Sequence, residues 1–341
     1  MNISQVLQAW SRILAGKAPS LSIEITKECP LRCPGCYAFD SSHLGPGMQL
    51  KQLSDFRGDE LVRRVLAVVD ERKPMHLSLV GGDPLVRYRE LDALIPQLAN
   101  RDVYTQIVTS AFRTIPAEWS RYPRLHVAIS IDGLPAEHDV RRKPATYERI
   151  LKNIVGARVY IHCTITSQLA SREGYIEEFL RFWSARPEVI KIWFSLFTPQ
   201  RGAADPEILT FEQRDAVLAD LMRLRHLYPL LQMDEPTIRE FASPPKSPDD
   251  CIFARTTTTL SADLTSKITP CQFGGDPDCS RCGCMASMGL AAIGHHRLGP
   301  LTVGQIFKAS DRIGQTWSGL RTRLQPGAHP EPGAAPFNIL G

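Results

Sequence analysis

From about residue 20 to 205, short β-branched runs alternate with stretches whose apolar residues recur at helical spacing. The alternation predicts strands over 21–26, 76–80, 103–108, 125–130, 159–165 and 189–196. Between them it predicts helices over 59–71, 88–98, 146–155 and 174–183. In the first of these, Leu61, Val62, Val65, Leu66, Val68 and Val69 form one inner face, and Thr146 is placed to N-cap the third. Six β–α units in series imply an α/β fold whose parallel sheet is closed or partly closed as a barrel. Residues 1–20 carry an apolar stripe (Val6, Leu7, Trp10, Ile13, Leu14) interrupted by Arg12 and Lys17. Lacking a charged-then-apolar-then-small order, the stretch reads as a surface helix and not an export signal.

After Pro199 the pattern changes. A helix is predicted over 210–227, with Phe211, Val217, Leu218, Leu221 and Leu224 on a 3.6-residue period. Residues 243–250 hold Pro244, Pro245 and Pro248 and read as a linker. The following stretch, 251–289, is cysteine-rich, with strand-like runs at 256–260 and 267–270 around a turn at 261–265. With Gly274, Gly275, Gly283 and Gly289 in it and little apolar sequence, it is expected to fold around a metal, apart from the barrel. Residues 325–341, rich in proline, glycine and alanine, are expected to be mobile. The resulting division is 1–20, 21–205, 206–250, 251–310 and a tail over 311–341.

Composition narrows the class without naming it. A chain of 341 residues with 43% hydrophobic and 22% charged residues is an ordinary globular protein, large enough for a core without staples. Its net charge of +4 is too mild for a nucleic-acid footprint. No apolar run approaches the ~18 residues of a membrane span. The nine cysteines say more: three stand at 29, 33 and 36, five at 251, 271, 279, 282 and 284, and Cys163 alone on a predicted strand. Without an export signal, such clusters read as metal ligands in a reducing cytoplasm. Cys163 reads as a small buried hydrophobe, and His295-His296 as a solvated loop.

The run after the first predicted strand is Cys29-Pro-Leu-Arg-Cys33-Pro-Gly-Cys36-Tyr37. Three thiolates on an iron–sulfur cube leave one iron open. A zinc site wants a closed fourth ligand, and His43 is the nearest candidate. Placed directly after a strand, Cys29 to Tyr37 resembles the radical S-adenosylmethionine (SAM) superfamily. That resemblance implies a partial (β/α)6 TIM-like barrel and a [4Fe-4S] cluster on Cys29, Cys33 and Cys36, its open iron chelated by SAM. Many members carry an aromatic residue just before the third cysteine; here that position is Gly35, and Tyr37 follows instead.

Further segments extend the resemblance over about 20–205. Gly81-Gly82-Asp83-Pro84 after the second strand is similar to the family's GGEP segment, which binds the SAM amino group, with Asp83 in place of Glu. Thr109-Ser110 ends the third strand, where relatives often have Thr-Asn. Ser130-Ile-Asp132-Gly133 followed by His138-Asp139-Val-Arg141-Arg142 resembles an S-x-D-G…HD-x-x-R segment. By that match Ser130 and Arg142 contact SAM, beside Asp132, and Pro199 with Gly202 lies against the adenine.

The later cysteines, Cys251, Cys271, Cys279, Cys282 and Cys284, resemble the SPASM and twitch extensions, which bind auxiliary iron–sulfur clusters. Five thiols suffice for one four-thiolate cluster, expected as [4Fe-4S], and Cys251, Cys271, Cys279 and Cys282 are favoured over Cys284. Zinc competes there, since four sulfurs also close a zinc site. The spare thiol could pack or donate hydrogen to a product radical.

The resemblance implies an enzyme that reductively cleaves SAM to methionine and a 5′-deoxyadenosyl radical, which takes hydrogen from a substrate C–H bond. The implied partners are an electron donor such as ferredoxin or flavodoxin and a small-molecule or peptide substrate. Only about 20 residues precede the first strand, which tilts the expectation to a small molecule. The alternatives are a peptide maturase of the SPASM type and a non-enzymatic zinc-stabilised binding module.

Overall fold

The computed structural model describes residues 3–45, 48–144 and 146–324. Its main sheet contains β1 (Ser20–Glu24), β2 (His76–Val80), β3 (Tyr104–Thr109), β4 (Leu125–Ile131), β5 (Val159–Ile165), β6 (Val189–Leu196) and β7 (Thr257–Leu260). The order is β6-β5-β4-β3-β2-β1-β7, and every pairing is parallel. Six of these strands stand where the alternating pattern predicts them, within a few residues at each end. Because they run the same way, the loops that follow them gather at one edge of the sheet.

Helices cover the outer face through apolar stripes. Leu61, Val65 and Val69 of Gly58–Arg72 are buried there, as are Phe179, Leu180 and Trp183 of Tyr175–Ser184. The predicted cap at Thr146 forms: its hydroxyl accepts from the Arg149 amide at 3.3 Å and starts the helix Tyr147–Asn153. Thr210 and Gln213 make a reciprocal capping box at the start of Phe211–Leu224. Cys163 is fully buried among the core residues, as its lone strand position suggests.

Three expectations are revised. First, the sheet has a seventh strand. Thr257-Thr258-Thr259-Leu260 pairs with β1 in register Ser20↔Thr257 to Ile23↔Leu260. The cysteine-rich segment therefore begins inside the main sheet instead of beyond a linker. The expected hairpin is short: Ile268 N donates to Thr259 O at 3.0 Å, and a single Leu260↔Lys267 bridge follows.

Second, an unpredicted helix, Met285–His295, ends the segment. His295 is its last residue and stands 3.1 Å from Glu240. Third, residues 311–324 are no tail. They continue the helix Val303–Leu324, which packs on Ile3–Leu14; a Cβ on Gly314 would stand 2.1 Å from Ile13 O. Residues 325–341 lie outside the described residues. No helix among the described residues is long and apolar enough to cross a membrane.

Candidate active site

At the edge where the strands end, one cavity of about 1210 Å³ opens. Its walls include Cys29, Cys33, Cys36 and Tyr37, then Gly81, Gly82 and Asp83, then Thr109 and Ser110, then Ser130, Asp132 and Arg142, and finally Pro199. Thirteen of the fifteen residues read from the first cysteine run and the strand-end motifs thus share this wall; exposed Gly202 does not, and neither does Pro84. It is buried at the first turn of Pro84–Arg87.

The cysteine loop is anchored on both sides. The glycine turn lies beneath its start: Gly82 N donates to Thr26 O and Asp83 N to Glu28 O, each at 2.8 Å. A Cβ on Gly82 would stand 2.0 Å from Glu28 O, so the backbones touch only because that residue has none. Below, buried Arg87 bonds Glu28 at 3.1 Å and Asp55 at 2.8 Å. On the far side, Arg32 N donates to Lys143 O at 2.8 Å.

The Asp83 carboxylate is taken up within the protein. It accepts from Leu85 N (3.0 Å), Thr109 Oγ1 (2.6 Å), Ser110 N (2.9 Å) and Ser110 Oγ (2.5 Å). Burial pushes this carboxyl upward and the four donors pull it back. Asp83 thus clamps the glycine turn to the end of β3 and leaves backbone groups of 81–83 to face the cavity.

The S-x-D-G…HD-x-x-R segment divides its labour. Asp132 is buried and would resist ionising there, but Arg142 and Arg141 hold its carboxyl well below the usual range. Arg142 reaches it with Nε at 2.6 Å and a second nitrogen at 3.1 Å. Arg141 pairs with the same carboxylate and forks onto Glu207 at 2.7 and 2.6 Å. His138 accepts from Asp132 N at 3.1 Å, and burial drives its pKa down to about 4, so it is a neutral brace. Asp139 accepts from Tyr147 N at 2.7 Å. The positive charges of Arg142 and Arg141 act on Cys33 and Cys36.

The five later cysteines line a second, smaller void of about 30 Å³, beside Thr198, Phe253, Phe273 and Ser287. Cys284 lines both this void and the large cavity. Its sulfur accepts from Gln272 Nε2 at 3.3 Å, and Cys251 Sγ lies 3.1 Å from Ser287 Oγ. The loop between Cys282 and Cys284 docks on β6: Leu196 N donates to Gly283 O at 2.9 Å and Gly283 N to Thr198 Oγ1 at 2.8 Å. Burial pushes Cys29 and Cys271 up to about 12 and Cys279 to about 11, so bound cations would have to supply the charge that makes them thiolates. Among the described residues, no group of three or more His, Cys, Asp or Glu is drawn together as ligands of a single metal ion.

Sequence reasoning missed four supports. Glu24 and His43, each buried, bond at 2.7 Å; His43 Nδ1 donates to Phe273 O at 2.9 Å and Ser261 Oγ to Glu24 at 2.6 Å. This ties β1, the cysteine loop and the later segment together, so His43 is engaged away from the cysteines. Glu207 was likewise unread. Buried Arg214 donates to Arg281 O (3.0 Å), Phe241 O (2.9 Å) and Cys282 O (3.1 Å). The Glu28–Arg87–Asp55 set completes the list. Each joins residues far apart in the chain, and no local pattern marks them.

Residues 23–170 match the family model of the Radical SAM superfamily. No curated protein matches the chain. Among solved structures, SuiB of Streptococcus suis bound to S-adenosylmethionine is 17% identical with a TM-score of 0.53, over 79% of this chain and 63% of that one. SuiB bound to precursor peptide SuiA is 13% identical with a TM-score of 0.56, over 92% and 70%. Native anSMEcpe with bound AdoMet is 13% identical with a TM-score of 0.54, over 89% and 98%. The chain thus spans less than two thirds of the first of these structures, and at these identities the likeness is one of fold: an α/β fold of the radical SAM type.

Proposed function

We propose that the chain is a radical SAM enzyme, acting on a C–H bond of a small-molecule or peptide substrate. The observation that carries this is the convergence on one cavity of three cysteines from the loop after β1 with the ends of β2, β3, β4 and β6. The donor set fits the cluster: three cysteines on one loop leave an iron open, and two arginine charges stand near Cys33 and Cys36. Cys29, Cys33 and Cys36 would hold a [4Fe-4S] cluster with one iron open to SAM, and that group would supply the electron for reductive cleavage of SAM.

The chain's own part is to bind, orient and exclude water. Backbone groups at Gly81 and Gly82, the Ser130 hydroxyl and the Arg142 edge would receive the amino-acid end of SAM. Tyr37 and Pro199 would bound its adenosine. Asp132 keeps Arg142 in place, so the guanidinium needs no reordering when a carboxylate arrives.

We read the second void as the site of an auxiliary iron–sulfur cluster, which four of its five cysteines would hold once drawn together by the metal. Its support is charge: buried Arg214 donates to the carbonyls of Arg281, Phe241 and Cys282, and its positive charge acts on the Cys282 sulfur, which becomes anionic on metal binding. Cys251, Cys271, Cys279 and Cys282 are the proposed ligands. Cys284, on the wall of the large cavity, is the proposed spare.

The cavity exceeds the ~300–1,000 Å³ of small-molecule sites, leaving room beside SAM. Two chains of similar fold carry peptides in their structures, SuiB with SuiA and anSMEcpe with Cp18Cys; this favours peptide modification as a second reading. A cytoplasmic location and a ferredoxin- or flavodoxin-like donor complete the proposal.

Anaerobic protein given dithionite and SAM should form 5′-deoxyadenosine. Two zinc ions, no iron and no SAM affinity would instead establish the binding-module alternative.

A further inference from the structure

Closed eight-stranded barrels fill their interior with bulky Val, Ile and Leu. This sheet does not. Its cavity-facing positions include Ser22, Ser78, Gln106, Ser130, His162 and Ser195, so the cavity runs on along the inner face of the sheet. Toward the start of the strands that wall carries His76 on β2 and Lys191 with Trp193 on β6.

Lys191 is the unusual member. Its Nζ lies 4.7 Å from the Trp193 ring centroid and 5.7 Å from that of Tyr160. Burial alone lowers its pKa; no carboxylate among the described residues acts on it. The neighbours offer donors and further bases. Tyr160 Oη is 2.8 Å from His126 Nδ1, Lys191 acts electrostatically on His126, and His126 on His76. Asp234 also lines the cavity, but it caps the helix Glu235–Glu240, accepting from Thr237 N at 3.1 Å. Arg225 lines the cavity too, with Glu235 at 3.9 Å. A half-desolvated ammonium on ring faces, lining a polar chamber and acted on by no carboxylate among the described residues, is suited to receive an anion.

We propose that Lys191 binds an anionic group, a carboxylate or a phosphate, of the molecule that shares this cavity with SAM. The proposal rests on the radical SAM reading for what occupies the rest of the cavity, not for the site itself. It narrows the substrate to one whose reacting carbon is tethered to an anion held on the β6 side of the chamber.

The test uses the full chain with lysine labelled at 13Cε, the Lys191 signal assigned by its loss in Lys191→Met. Sodium acetate and inorganic phosphate are titrated separately, with sodium chloride at matched ionic strength as control, and exposed Lys246 as internal reference. The expected result is a saturable, millimolar shift of the Lys191 signal at least tenfold larger than that of Lys246, with chloride inert. Saturation by acetate assigns a carboxylate; saturation by phosphate alone assigns a phosphate ester. A Lys191 signal that moves no more than that of Lys246 with either anion overturns the proposal. SAM titrated into the parent protein separates the two readings. SAM binding with a silent Lys191 removes only this inference, whereas a responsive Lys191 without SAM binding removes the radical SAM reading and leaves the anion site.

Discussion

Asp132 is where two guanidinium cations and one carboxylate decide the shape of the site. It is 3% exposed and serves Arg141 and Arg142 at once, with His138 bracing its backbone. Replacing it by Asn leaves two guanidiniums sharing a neutral amide, a loss of about 3–5 kcal/mol for a broken buried pair. Urea unfolding of Asp132→Asn at neutral pH checks this. The pH dependence follows from the sign of the shift. The folded carboxyl lies below its unfolded value of ~3.9, so its contribution is complete above that value and is lost as pH falls through the folded one. Below about pH 4 the parent should therefore lose stability more steeply than the variant. Equal acid limbs would mean that Asp132 is not ionised in the folded protein. The motif was legible in the sequence at this scale, but the roles within it were not. Spacing placed Asp132, His138 and Arg142 at one strand end; it could not say that Arg142 is already bonded, or that Glu207 would arrive from 66 residues beyond Arg141.

Between elements, the revision concerns the later cysteine segment. Its prolines and glycines suggest a loose module, yet Gly274, Gly275 and Gly283 are points of close approach. A Cβ on Gly274 would stand 1.9 Å from His43 O, and one on Gly283 2.0 Å from Leu196 O. β7 then adds a strand to β1. The pattern hid this because β7 reads Thr-Thr-Thr-Leu, too polar for a buried strand by itself, and its partner lies over 230 residues earlier. The strands β1 to β6 were legible because each carries its own apolar run. Two outcomes follow. Amides of β7 should exchange with opening free energies within about 1 kcal/mol of those of β1, as one cooperative unit; far faster exchange in β7 would restore the independent module. Gly283→Ala must push the Cys282–Cys284 loop off β6. It should cost at least about 1–3 kcal/mol, the range for overpacking, and deplete metal at the second site, both readable from a melt and an iron assay. A variant that melts and loads like the parent would show that the loop has slack.

For the molecule as a whole, the two cysteine sites share supports without sharing ligands. Cys29, Cys33 and Cys36 belong to a loop held by the glycine turn and Arg87; the later five surround a void held by β6 and Arg214. If each takes a four-iron cluster, anaerobic protein holds about eight irons. Replacing the first three cysteines together by Ala should remove about half, since β6 and Arg214 still hold the second ligand loop. The separation is not complete, however. His43 follows the first cysteines and donates to Phe273 O, two residues after Cys271, while Glu24 joins it to Ser261. Emptying the first site frees the loop that carries His43, so the 271–275 stretch should become more open to proteolysis even where the second cluster stays loaded. Iron and acid-labile sulfide counted beside limited proteolysis test both halves. Iron unchanged by the triple replacement would remove the first cluster from the loop after β1. Iron lost entirely would mean that the Glu24–His43 bridge dominates and that the two sites load as one.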